Sequence, residues 1–154
     1  MGKKLLMGLE IEVLSTLGNE SKNAQEIRRH WDYFMSRSHE LDSIIKGFSY
    51  GVLASADGFM ENEKFTDLAS VEVKKNNQKD ISDFKLHLID EETQYACFEM
   101  TGNQKSCQVT ADYIYGIWLP QSKYERDEGV DIEIFDHKLY EQERISFYGL
   151  PIKK

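Results

Sequence analysis

Two cysteines and two prolines stand among the 154 residues, and 19 basic residues face 27 acidic ones. Cys97 and Cys107 lack metal-ligand spacing, and one pair in a chain of this length makes no disulfide framework, so reduced thiols are expected. The histidines at 30, 39, 87 and 137 are scattered, none at ligand spacing from another His, Cys or acid. No metal site and no cofactor is expected. No apolar run approaches the ~18 residues of a membrane span. The net charge of -8 and pI of about 5.0 oppose binding to a phosphate backbone, which removes nucleic acid from the expected direct partners. Two lysines precede an apolar run as in a signal peptide, but Glu10 and Glu12 interrupt it, and Leu6 spoils a myristoylation pattern. A cytoplasmic location is expected.

What remains is enough chain for one domain with its own core. Residues 5–14, "LLMGLEIEVL", alternate as a strand with Leu9, Ile11 and Val13 on one side. Asn23 and Glu26 have capping-box spacing, and Ile27, Trp31, Phe34, Met35 and Leu41 follow at helical spacing. "FSYGVLASA" and "FTDLASVEVK" predict a hairpin turning near Asp57-Gly58. After the polar residues 74–83 the order repeats: "QYACFEMTG" as a strand, "SCQVTADYIYGIWL" as a helix stopped by Pro120 and weakened at Gly116, then "VDIEIFD" and "ISFYGLPI" as strands. Ile27 and Trp31 in the first helix match Ile114 and Trp118 in the second, and Leu9, Ile11 and Val13 match Ala96, Phe98 and Met100. The predicted fold class is α+β, a duplicated β-α-β-β unit of about 1–74 and 84–154 with pseudo-two-fold symmetry. Both halves close over one antiparallel sheet with helices on one side.

The stretch "GVDIEIFDHK" poses the functional question. Ile132 and Ile134 point one way and read as core; Asp131, Glu133 and Phe135 point the other. That second face is either a solvated surface or the wall of a pocket that wants a positive charge. A carboxylate among aromatic faces offers charge pairing plus cation-π attraction of roughly 0.5–2 kcal/mol per ring, and it tolerates varied ligand shapes.

"YACFEMTG", "DYIYGIWLPQSKYE", "DIEIF" and "FYGLPIKK" resemble the GyrI-like effector-binding domain, which is also the sensory half of AraC- and MerR-type multidrug-responsive regulators. The resemblance continues more weakly through "GLEIEV", the Trp31 helix and "SYGV". It implies paired β-α-β-β units with a ligand cleft between them. It also implies that Glu133, by its place in "DIEIF", meets the charge of a cationic or amphiphilic ligand, with Tyr148 beside it. Trp118, bordered by Tyr113 and Tyr115, is a further candidate for the pocket wall, and Phe135 and Tyr50 are candidates by their expected strand faces. Trp31 and Trp118 both lie on apolar stripes where core packing is the plainer reading.

The leading expectation is a non-enzymatic binding protein that senses or sequesters xenobiotics. With no helix-turn-helix segment in view, it is expected to act alone, as a homodimer, or on a protein partner such as a transcription regulator. Two other classes compete: a modulator of an enzyme such as DNA gyrase, and a hydrolase using the pocket glutamate as general base.

Overall fold

The computed structural model describes residues 2–15, 20–54, 63–74, 83–101 and 106–154. Alternating apolar residues give the strands β1 (Lys4–Ser15), β2 (Phe48–Ala54), β3 (Glu63–Val73), β4 (Lys85–Ile89), β5 (Gln94–Thr101), β7 (Asp131–Asp136) and β8 (Ile145–Lys153), and the two-residue β6 (Glu125–Arg126) lies between β5 and β7 in the chain. All pairings among the described strands are antiparallel, in the order β4-β1-β3-β2-β7-β8-β5, with β6 added beside β8. Without β4 and β6, the order β1-β3-β2 on one side mirrors β5-β8-β7 on the other. The pseudo-two-fold relation expected from the repeated unit therefore lies between β2 and β7.

Helix α1 (Glu20–Arg37) begins three residues before Asn23, so Asn23 lies inside the helix and not at its cap. Its sheet-facing stripe is His30, Trp31 and Phe34; Met35, counted with that stripe by spacing, is 45% exposed. The second helical segment runs as α2 (Ser106–Tyr113), a π turn over Ile114–Trp118, and a short α3 (Leu119–Gln121). Pro120 does not stop it. It sits in the last turn, just past the wide i→i-5 closure from Leu119 to Ile114.

Among the described elements, β4, β6 and a further helix were not anticipated. β4 pairs with the outer edge of β1, where it gives that strand a second partner. Helix α4 (His137–Glu143) follows β7 directly. Asp136 caps α4 by accepting from the backbone N–H groups of Lys138 and Leu139, and Arg144 ends it in the left-handed region at φ 55°. The expected turn at Asp57-Gly58 and most of the 74–83 segment fall outside the described residues, but β2 and β3 do pair as a hairpin would.

Three apolar clusters hold these layers. Met7, Leu9, Ala69, Val71 and Val73 pack under Phe34 and Trp31 of α1. Leu53, Met100, Tyr148 and Leu150 pack under Ile114, Tyr115 and Trp118. Both helices thus cover the same face of the sheet. The other face has its own cluster of Leu6, Tyr50, Val52, Leu68, Ile89 and Ile132.

Candidate functional site

That arrangement corrects the reading of β7. Ile132 lies in the cluster away from the helices, whereas Asp131, Glu133 and Phe135 rise from the face that the helices cover. Both faces are buried here, so Glu133 is no surface acid: it is 8% exposed. The strand registers fix its neighbours. Glu133 lies opposite Gly51 on one side and Tyr148 on the other, and Gly51 lies opposite Ala69, so one row reads Ala69-Gly51-Glu133-Tyr148.

Gly51 is what makes room beside the carboxylate. A Cβ at that position would stand 3.3 Å from Glu133 Oε1 and 3.6 Å from Trp31 Cζ2. The Trp31 ring therefore closes over the same spot toward which Glu133 leans. Its other neighbours are aromatic: Phe135 at 5.4 Å between centroids and Phe34 at 6.1 Å, both edge-on, with Tyr140 in turn 5.6 Å from Phe135. Edge-to-face pairs of this kind hold rings in fixed relative positions.

On the far side of Glu133 a polar network anchors the sheet to the second helical segment. Asp131 is fully buried. Its Oδ2 accepts from the hydroxyls of Tyr148 at 2.5 Å and Tyr115 at 2.6 Å, and its Oδ1 accepts from Arg126 at 2.8 Å. Arg126 Nε also donates to the Tyr115 oxygen at 3.0 Å. Burial, followed by the Asp131 charge, pushes the Tyr115 phenol well above its ordinary range. The hydroxyl stays protonated and remains a donor.

Of the residues anticipated for the site, Glu133, Tyr148 and Phe135 share the helix-side face. Tyr148 spends its hydroxyl on Asp131. Trp118 covers the same face further out, edge-on to Phe98 at 4.9 Å and stacked on Tyr124 at 6.2 Å. Tyr113 does not join them; it is 46% exposed on the outer side of its helix, and Tyr115 takes the inward position. Tyr50 lies on the opposite face, opposite Ile134 and Ser70, stacked with Phe48. An even number of residues separates sites on one strand face, and Tyr50 is one residue from Gly51, the residue that abuts Glu133.

Sequence reasoning placed Trp31 with core packing, named Asp131 only as sharing the face of Glu133, and passed over Asp67. Asp67 was legible by the pattern that singled out Glu133: in "FTDLASVEV" it shares a face with Phe65, Ala69, Val71 and Val73, one acid in an apolar row. In the structure it is completely buried, and neither carboxylate oxygen has a hydrogen-bond partner. Burial, reinforced by the nearby Glu133, raises its pKa well above the carboxylate range. An acid that holds its proton in the folded state more tightly than in the unfolded one stabilises the fold fully at low pH, and that contribution is lost as pH rises through the folded-state value. Asp67→Asn is therefore expected to change stability little near about pH 4, and to raise it at about pH 8 by on the order of 1–3 kcal/mol. Urea melts at the two pH values check this; an equal effect at both would remove Asp67 as the source.

Among the described residues no group of three His, Cys, Asp or Glu side chains could hold a metal ion. None of the described helices is long and apolar enough to cross a membrane. Cys97 is exposed on β5.

Solved structures share this fold of an antiparallel sheet with both helices on one face. SAV2435, solved bound to tetraphenylphosphonium, superposes with a TM-score of 0.68 at 18% identity, covering 99% of this chain and 90% of that one. The integron cassette protein VCH_CASS2 from the mobile metagenome of Vibrio cholerae gives 0.61 at 14% identity, covering 99% and 92%. The C-terminal domain of EcmrR gives 0.69 at 8% identity, covering 100% and 94%. No curated protein sequence matches significantly. The profile of the Cass2 family, integron-associated effector binding protein, matches residues 4–152, and the chain belongs to that family.

Proposed function

We propose that this protein binds hydrophobic cations without chemically altering them, in a cleft on the helix-covered face, and so senses or sequesters xenobiotics in the cytoplasm. The observation that carries this reading is a nearly buried carboxylate, Glu133, leaning across a glycine toward the ring of Trp31. Holding a carboxylate at such low exposure removes most of its water, and a cation beside it offsets that desolvation. Aromatic edges and faces at Trp31, Phe135 and Tyr140 supply apolar contact that follows no single ligand outline. The tetraphenylphosphonium held by SAV2435 is a ligand of this class. A regulator partner is the route by which such binding would reach transcription, as the likeness to EcmrR suggests.

Titration with tetraphenylphosphonium, followed by tryptophan fluorescence, tests the reading. Trp31 beside Glu133 should make the native protein quench saturably. Glu133→Gln, which keeps the side-chain volume, is expected to weaken binding at least about tenfold, since one partner of a desolvated charge pair is lost. Equal affinity in both proteins would return attention to a surface-mediated modulator of another enzyme.

A further inference from the structure

Asp67 has no task in a site built on Glu133 alone. Asp131, on the same sheet face, receives three donors, so the fold supplies partners to a buried acid where it needs them. Asp67 is as deeply buried and receives none. Leaving a buried polar group unpaired carries a desolvation cost that an apolar residue of similar size would avoid.

Its position relative to Glu133 is set by the strand ladder. Asp67 lies opposite Leu53, and Glu133 lies opposite Gly51, so the two acids rise from one face on either side of β2. Ladder geometry sets their strands about 10 Å apart and their rows about 7 Å apart. Glu133 closes part of that gap by leaning over Gly51. Next to it in the row stand Gly51 and Ala69, which between them carry one methyl group. Among the described residues, other ionisable groups that reach this face are already engaged: Asp131 with Arg126, His30 of α1 with the Leu9 carbonyl through Nε2 at 2.6 Å, and His137 with the Ser49 hydroxyl through Nε2 at 2.6 Å.

We propose that Asp67 is a second ligand-binding carboxyl group of this site, and that the site selects nitrogenous dications, with one cationic group on Glu133 and the N–H donors of the other on Asp67. This rests on the cation-binding reading of Glu133 and narrows it to a ligand class. The second cation gives both Asp67 oxygens the donors they lack and favours the carboxylate, so the Asp67 proton leaves for solvent as the dication enters. A monocation fixed on Glu133 makes no such demand.

A matched pair of probes separates these cases: para-benzenedicarboxamidine, with two amidinium groups, and benzamidine, with one. Calorimetric titration of the native protein is expected to favour the dication by about tenfold or more, consistent with one added charge-assisted contact. Repeating it in buffers of different ionisation enthalpy should show proton release with the dication and not with benzamidine. Asp67→Asn is close in volume and is expected to abolish the proton release and most of the preference while changing benzamidine affinity less than about twofold. A preference that survives Asp67→Asn, or no preference in the native protein, overturns the role of Asp67. Tetraphenylphosphonium distinguishes the two levels of failure: if it binds and depends on Glu133, only the dication inference falls, and if nothing binds, both readings fall.

Discussion

Asp131→Ala is expected to destabilise the protein by about 3–5 kcal/mol, the range for removing one partner from a buried charged network. Three donors lose their acceptor at once: the Tyr148 hydroxyl, the Tyr115 hydroxyl and the Arg126 guanidinium. Tyr148 is 1% exposed, so water does not readily replace the Asp131 oxygen that its hydroxyl loses. Arg126 is less severely affected, because its side chain keeps 31% exposure and water can replace the carboxylate. That places the expected loss toward the lower end of the range. Asp131→Asn should cost less, since one oxygen still accepts a hydrogen bond while the charge that pairs with Arg126 is gone.

Chemical denaturation measures the loss, and the melting temperature should fall by about 10 °C for a domain of this size. An optical titration supplies an independent check. Because the Asp131 charge contributes to the elevation of the Tyr115 phenol, second only to burial, Asp131→Asn should bring that phenol's titration down. A loss below about 1 kcal/mol would mean that the network is not a determinant of stability. Structurally the network ties the last strands to the π turn that carries Tyr115 and Trp118, so its loss should also loosen that side of the proposed site.

The second large effect is expected at Gly8, away from the site. A Cβ there would fall 1.8 Å from the Ala69 carbonyl oxygen and 2.7 Å from the Ala69 carbonyl carbon and Ser70 Cα. All three atoms are backbone, so no side-chain rotation relieves the overlap. β1 and β3 would have to separate along a ladder that pairs residues 5–15 with 63–73, at a point beside the buried, fully packed Ser70 and Ala69. Gly8→Ala is expected to cost more than about 4 kcal/mol or to prevent folding. The same change at Gly116 provides the comparison, since nothing lies within 4 Å of a Cβ there. That variant should match or exceed native stability by up to about 1 kcal/mol, because alanine restricts the unfolded chain. Soluble yield and urea midpoints of the two variants decide the matter. A well-folded Gly8→Ala protein would show that the strands can part at that pair.

Much of the sheet was legible because its signal is local. Leu9, Ile11 and Val13 alternate, as do Ala96, Phe98 and Met100, and all six point toward the helices. Glu133 stood out for the same reason, one acid between two isoleucines. Other features carry weaker local signals. β4 is short and half exposed, and it became a strand because β1 offered it an open edge. Helix α4 is seven residues long, and its cap at Asp136 reads in sequence as the end of a strand. Tyr113 and Tyr115 are two residues apart on one helix, and which of them turns inward follows from how the π turn meets the sheet.

The sequence by itself determined the doubled β-α-β-β pattern and the sets of residues that share a strand face, because alternation and helical spacing are properties of neighbouring residues. Only the tertiary structure decided which of those faces the helices would cover, that Gly51, Glu133 and Trp31 would meet, and that Asp67 would be buried on the same face. Side-chain alternation says that Ile132 and Glu133 point apart, but not which direction becomes the interior. That is settled when strands 67, 51 and 133 residues into the chain pair side by side and two helices from different halves close over the same face.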